Sequence, residues 1–395
     1  MNLKKVFYAF LFLIILSCAK FDLVTFDNEK NQEKANISCK VKKAPIKVYS
    51  ENDKLNMKFE HYISTTNQNL LDYFFQWSLL QLASRPDATT LNSRTLNYIK
   101  YKGQEFFLMT TPKDHLSSSF LVSLEEVRKF YKNRLGINSY ANMLDKGVNR
   151  TIPVAKPLQD LIERNKVAYY KNKTLRKYTF KGNQIVRVDE SINIPNFSQL
   201  IKKARTLDKN VFKTNHLFRT TKKYSCNFDK RLFSASPIIQ RKTNEIKSNF
   251  YGIFLDKNNY TISLTSSMPS NIQFHKKYFS LESLPTSSFN AAFCVSNNQS
   301  EFILAKNLIH SEQLLNNVLN SLNGNEEPQE IINYKRHVNL LYPERSVIEI
   351  YGKKLNEPGS KTTYHVPTLG KIDIVKYNSN FELYKEPRTG ILKCN

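Results

Sequence analysis

Asp114-His115, followed by Ser117, Ser118 and Ser119, is the one place in this chain where an acid, an imidazole and hydroxyls stand together. Nucleophilic catalysis there would need the imidazole within about 3 Å of a serine hydroxyl and a third group to orient it. The same residues also read as a polar loop ahead of a helix, with the serines serving turns, and that reading is preferred. The seven histidines are His61, His115, His216, His275, His310, His337 and His365, and no two of them are three or four residues apart. No helix therefore presents a ready two-histidine metal site. Glu125-Glu126 and Glu326-Glu327 are paired carboxylates, but neighbouring helical side chains point about 100° apart and cannot flank a sugar as facing acid and base. The phosphate-cradling glycine loop, G-x-G-x-x-G, H-E-x-x-H and G-x-S-x-G are all absent from the sequence. No catalytic residue, no metal and no cofactor is expected.

The charge carries a stronger signal. The formal net charge is +25, and between Arg164 and Lys247 there are 21 Lys and Arg against 5 Asp and Glu. Tyr169, Tyr170, Tyr178, Phe212, Phe218, Tyr224 and Phe228 are interleaved with these basic residues, a pattern that suits an anionic polymer or lipid headgroups. The candidate anion contacts are Lys202, Lys203 and Arg205 on one helix and Lys222, Lys223, Lys230 and Arg231 around Cys226. A solvated sheet face with its aromatics turned inward would show the same composition.

The amino terminus holds the clearest pattern. Lys4 and Lys5 precede an apolar run from Val6 to Leu16, which Ser17 and Cys18 close. The run is too short for a permanent span of about 20 residues and matches the apolar region of a secretory signal. Ile15-Leu16-Ser17-Cys18 resembles the lipobox of bacterial lipoproteins, with Leu16 bulkier than the usual residue at its position. The resemblance covers residues 1–18 and implies removal of 1–17, acylation of the Cys18 thiol and anchoring in the bacterial envelope. Two or three acyl chains hold a protein on a membrane stably. In that family an aspartate after the cysteine favours inner-membrane retention; Ala19 stands there, which leans toward the outer membrane. Nucleic acid is not an expected partner in that compartment.

Four further cysteines, Cys39, Cys226, Cys294 and Cys394, permit two disulfides in three connectivities in an exported chain. Cys226 with Cys294 is the expected pair, since both lie in strand-like stretches of one β-rich segment. Cys39 with Cys394 is then the residual pair.

The elements that must position these residues fall into segments: a signal over 1–17, a tether over 18–50, a mostly helical module over 51–165, an antiparallel β-rich basic module over 166–305, and a helical pair followed by strands over 306–395. The first module should contain a buried helix over 67–84 capped by Thr65 or Thr66, a hairpin turning at Lys102-Gly103, and a helix whose capping box is Ser123 with Glu126. Alternation predicts strands over 174–180 and 184–190, a hairpin of 251–255 with 260–265, and another of 289–295 with 301–305. Ser311 should cap a helix stopped by Gly324, and Pro328 should open another that carries Leu340. Strands are expected over 347–351, 364–366 and 372–377.

The fold class is therefore α+β. Apolar residues make up 41% of the chain, enough for packed cores, which excludes global disorder. The function expected is a membrane-anchored envelope lipoprotein with a non-catalytic binding or structural role, held to the membrane by its lipid and with anionic polymers or headgroups as partners. The alternative is a lipid-anchored envelope hydrolase with a scattered catalytic site.

Overall fold

A computed structural model describes residues 46–386, apart from 114–117, 139–150, 195–201, 203, 205, 207–211, 215–217, 221–222, 228–246, 275–280, 285–290, 307–310, 342–343, 351–362 and 367–368. The signal, Cys18, Cys39, Cys394, Asp114, His115, Lys203, Arg205, Lys222, Lys230 and Arg231 lie outside the described residues.

In chain order come β1 (Lys47–Tyr49), α1 (Asp53–Thr65), α2 (Leu70–Ser84), β2 (Arg94–Tyr101), β3 (Gln104–Thr111) and α3 (Ser119–Leu135). There follow β4 (Thr151–Pro153), α4 (Lys156–Arg164), α5 (Lys166–Lys171), α6 (Lys173–Thr179), β5 (Phe180–Lys181), β6 (Gln184–Ile185), β7 (Ser191–Asn193), β8 (Phe212–Thr214), β9 (Phe218–Thr220) and β10 (Tyr224–Asn227). The rest comprises β11 (Lys247–Asp256), β12 (Asn259–Phe274), β13 (Leu281–Leu284), β14 (Ala291–Ser296), β15 (Glu301–Lys306), α7 (Ser311–Asn323), α8 (Pro328–Asn333), β16 (His337–Leu341), β17 (Glu344–Glu349), β18 (Thr363–Val366), β19 (Lys371–Asn378) and β20 (Asn380–Tyr384).

Two antiparallel sheets form the centre. One has the order β1-β11-β12-β2-β3-β8, with β13 also on β12; the other has the order β20-β19-β15-β14-β10-β9. Strand alternation assigns their faces. Leu96, Phe250, Phe254, Ile262 and Leu264 of the first sheet pack against Phe293, Phe302, Leu304 and Val375 of the second. The opposite residues of the first sheet, among them Ile99, Tyr251 and Ile253, join the buried side chains of α1, α2 and α3. Cys294, Ile303 and Ile374 of the second join α7 and α8. The result is a four-layer helix–sheet–sheet–helix sandwich, an α+β fold in which strands from the first and middle segments share one sheet.

Local chemistry explains the elements. All fifteen residues of α2 are buried, because the helix lies between the sheet and its neighbouring helices. Its cap is Asn69, whose side chain accepts from the Asp72 amide at 3.0 Å; Thr65 instead ends α1. The Lys102-Gly103 turn has φ of 48° and 73°, the doubly left-handed geometry that matches strand twist in two-residue hairpins. A Cβ on Gly252 would stand 2.5 Å from the Thr261 carbonyl oxygen, so glycine permits the close approach of β11 to β12.

Four expectations are corrected. The helix assigned a capping box is capped at Ser118, five residues earlier, and buried Ser123 lies inside it, donating to the Phe120 carbonyl at 2.8 Å. Glu126 pairs with Lys129, not with the cap. The stretch read as a strand over 174–180 is mostly α6, where Leu175 and Thr179, four apart, are both buried: the period is helical. Leu340 belongs to β16, since α8 stops at Asn333.

Candidate functional site

Sheet strands buried on both faces are ordinarily apolar along their length. At one end of the first sheet this chain is polar instead. Asn249 of β11 stands opposite Thr265 of β12, Thr265 opposite Thr95 of β2, and Thr95 opposite Thr110 of β3. All four are fully buried, as are Ser266 and Ser267 of β12. The loop leaving α2 closes over this row with Thr89, Thr90 and Ser93, and α3 delivers Ser119 to it. Arg85 fastens that loop through Asp87, at 2.9 and 3.0 Å, and through Glu51.

The hydrogen bonds run across elements. The Asn249 Nδ2 group donates to Gln81 Oε1 at 3.1 Å and to Thr89 Oγ1 at 3.2 Å. Thr89 and Thr265 share a hydroxyl–hydroxyl bond of 2.8 Å, and Ser248 and Ser266 one of 2.5 Å. Ser267 donates to the Asp87 carbonyl at 2.7 Å, and Thr110 to the Ser119 carbonyl at 3.1 Å. Two amide atoms are left over. Gln81 Nε2, a donor, and Asn249 Oδ1, an acceptor, have no partner, although both residues are 0% exposed. An unmade hydrogen bond of this kind costs about 1–3 kcal/mol, a cost that a group reaching both atoms would recover.

Two buried guanidinium groups border the row, Arg85 on the loop and Arg94 of β2, which stands opposite Ser266. Burial pushes the Tyr251 phenol well up, while the Ser78 and Ser263 hydroxyls beside it pull the other way. The described histidines are on α1 (His61), β16 (His337) and β18 (His365). No group of three or more His, Cys, Asp or Glu able to hold a metal occurs among the described residues.

The structure places the other sequence candidates elsewhere. Cys226 and Cys294 are bonded across β10 and β14, with Cα atoms 4.0 Å apart. Lys202 and Lys223 are exposed, Lys202 on a helical turn and Lys223 beside β10. Glu125 is held by Arg128 at 2.9 Å within α3, and Glu327 flanks the start of α8. Sequence reasoning missed Gln81, Thr89 and Asn249. The available signal was the hydroxyl run Thr265-Ser266-Ser267, which in the middle of β12 follows residues that are apolar on alternate positions.

No family model matches this chain, and no curated protein sequence matches it. Solved structures resemble it in fold. Cephalosporin acylase from Bacillus halodurans superposes with a TM-score of 0.55 at 10% identity, covering 92% of this chain and 98% of the acylase chain. LmbA2991HD superposes with a TM-score of 0.56 at 8% identity, covering 90% of this chain and 98% of its own.

Proposed function

We propose that this chain is a lipid-anchored protein of the bacterial envelope, held in the outer membrane through Cys18, which binds a small amide-bearing ligand at the strand-end cluster without transforming it. The ligand part of the reading is carried by the pair of buried, unpartnered amide atoms, Gln81 Nε2 and Asn249 Oδ1, and the anchor by Ile15-Leu16-Ser17-Cys18. A second reading, a lipid-anchored hydrolase, draws support from the fold likeness to an acylase and from buried Ser248 at the head of β11. Binding is favoured because the unpartnered amide atoms, and not a serine paired with a base, are what the polar row presents, the Ser248 hydroxyl being bonded to that of Ser266 at 2.5 Å. A general base must lie within hydrogen-bond reach of the proton it takes.

The test is thermal unfolding of the mature chain with N-acetyl-glutamine amide, N-acetyl-alanine amide and a cephalosporin, alongside an assay for released amine. Binding raises Tm, since ligand at 100 times Kd adds about 2.7 kcal/mol to stability. Asn249→Ala should abolish the rise, and no amine should appear. Amine release that is lost in Ser248→Ala would establish the hydrolase instead. Absence of a Tm shift with all three compounds would refute an amide ligand.

A further inference from the structure

From Arg164 to Lys181 the chain has seven Lys and Arg and no Asp or Glu. In the structure all seven, Arg164, Lys166, Lys171, Lys173, Arg176, Lys177 and Lys181, are exposed on α4 to β5. Of the four large apolar side chains exposed among the described residues, two stand in this same stretch: Val167, 66% exposed, and Tyr170, 36% exposed. They are three residues apart on α5 and so share one helix face. Tyr169 turns the other way, 1% exposed, and fixes α5 to the core. The Arg176 guanidinium from α6 lies 3.9 Å from the centre of the Tyr170 ring, so the aromatic is presented together with charge.

We infer that α5 and α6 form a docking face that lies on an anionic lipid surface, with Val167 and Tyr170 entering the headgroup layer and the surrounding Lys and Arg binding lipid phosphates. A purely electrostatic site for a soluble polyanion has no use for an exposed valine. Basic side chains ringing an apolar pair are the composition of an interfacial helix, and tyrosine is enriched at that depth. Geometry permits the contact, given the anchor at Cys18 on which this inference rests. The 28 residues between Cys18 and Lys47 can span at most about 100 Å, so the folded body stays near the bilayer and meets it at high effective concentration. The candidate contacts Lys202 and Lys223 are exposed as well, but the apolar component places the docking face on α5 and α6.

The experiment is residue-level amine labelling of the mature chain on phosphatidylglycerol vesicles and on phosphatidylcholine vesicles, read by mass spectrometry. Lys166, Lys171, Lys173 and Lys177 should be protected roughly tenfold on the anionic vesicles relative to Lys257, because each basic residue near such a surface multiplies binding about fivefold. Protection should be lost at 1 M salt, where the Debye length falls to about 3 Å. Val167→Asp should lose most of the protection while keeping the parent Tm. The same digest reports the mass of the Cys18 peptide. If that peptide carries no lipid, the anchor reading has failed, and the unlipidated chain added to excess vesicles still tests the face. Equal labelling with and without anionic vesicles would overturn the proposal. So would protection by dextran sulfate that vesicles do not reproduce, which would assign the face to a soluble polyanion.

Discussion

Cys226 and Cys294 stand directly opposite each other on β10 and β14, bonded and fully buried, and their bond closes 68 residues of chain. Because β14 sits between β10 and β15, the bond fastens β10, one strand in from the edge strand β9, to the interior of the second sheet. Closing a loop of this size in the unfolded chain contributes about 2–4 kcal/mol. Cys226→Ser with Cys294→Ser should lower the urea midpoint, with a steeper slope because the unfolded chain is no longer cross-linked and exposes more surface. A midpoint equal to the parent's under oxidising conditions would contradict the bond.

Arg336 is buried between two carboxylates that are also buried, Glu349 and Glu386. It donates to the Gly370 carbonyl at 2.7 Å, while Glu349 accepts from the Leu369 amide at 2.8 Å and Glu386 from the Ile372 amide at 2.7 Å. The network ties β16, β17 and β19 together. Removing one partner of a buried ion pair costs about 3–5 kcal/mol, because the other charge stays buried. Arg336→Met should therefore destabilise the chain strongly in urea. Restoration of part of the loss by Glu386→Gln in the same chain would show that the excess negative charge is the cause, and its absence would count against this account.

Buried phenols set an alkaline limit. Burial raises the Tyr98 phenol from 10.0 to about 12, opposed by the Tyr260 hydroxyl and helped by the neighbouring Glu105 carboxylate. Burial also holds Tyr131, Tyr251 and Tyr260 higher still. A group whose folded pKa lies above its unfolded value contributes stability fully below the unfolded pKa and loses it as pH rises through the folded one. Stability should thus fall from pH 10 upward, and the phenolate absorbance of this buried set should appear together with loss of near-ultraviolet circular dichroism. Ionisation of all the tyrosines near pH 10 with the fold intact would refute the packing described for Tyr98 and Tyr260.

Where the determinants are local, the sequence is a good guide. The Lys102-Gly103 hairpin, the wholly buried α2, and α7 ending near Gly324 all follow from side chains within one turn or one helix. The α6 segment misleads because Leu175 and Thr179 mark a four-residue period in only seven residues, too few to separate from alternation. Strand order is not legible, since β12 pairs with β2 across more than 150 residues, as in Tyr260 with Lys100, and no local pattern announces such a partner. The same holds for the site. Gln81, Thr89, Asn249 and Thr265 come from four separate stretches, and amides and hydroxyls have no spacing signature of the kind that metal ligands have. The basic run was visible in composition, but its apolar tip at Val167 and Tyr170 required knowing which side chains are exposed.

The central claim is that the protein is held on an envelope membrane by lipid at its amino terminus, and the measurement that tests it most directly is the mass of the amino-terminal peptide from protein extracted out of its native membrane. The account predicts a chain beginning at Cys18, with residues 1–17 gone and a diacylglycerol group on the thiol. Cys18→Ser should leave residues 1–17 in place and abolish the lipid mass. A mature chain that begins elsewhere, or an unmodified Cys18, would contradict the claim.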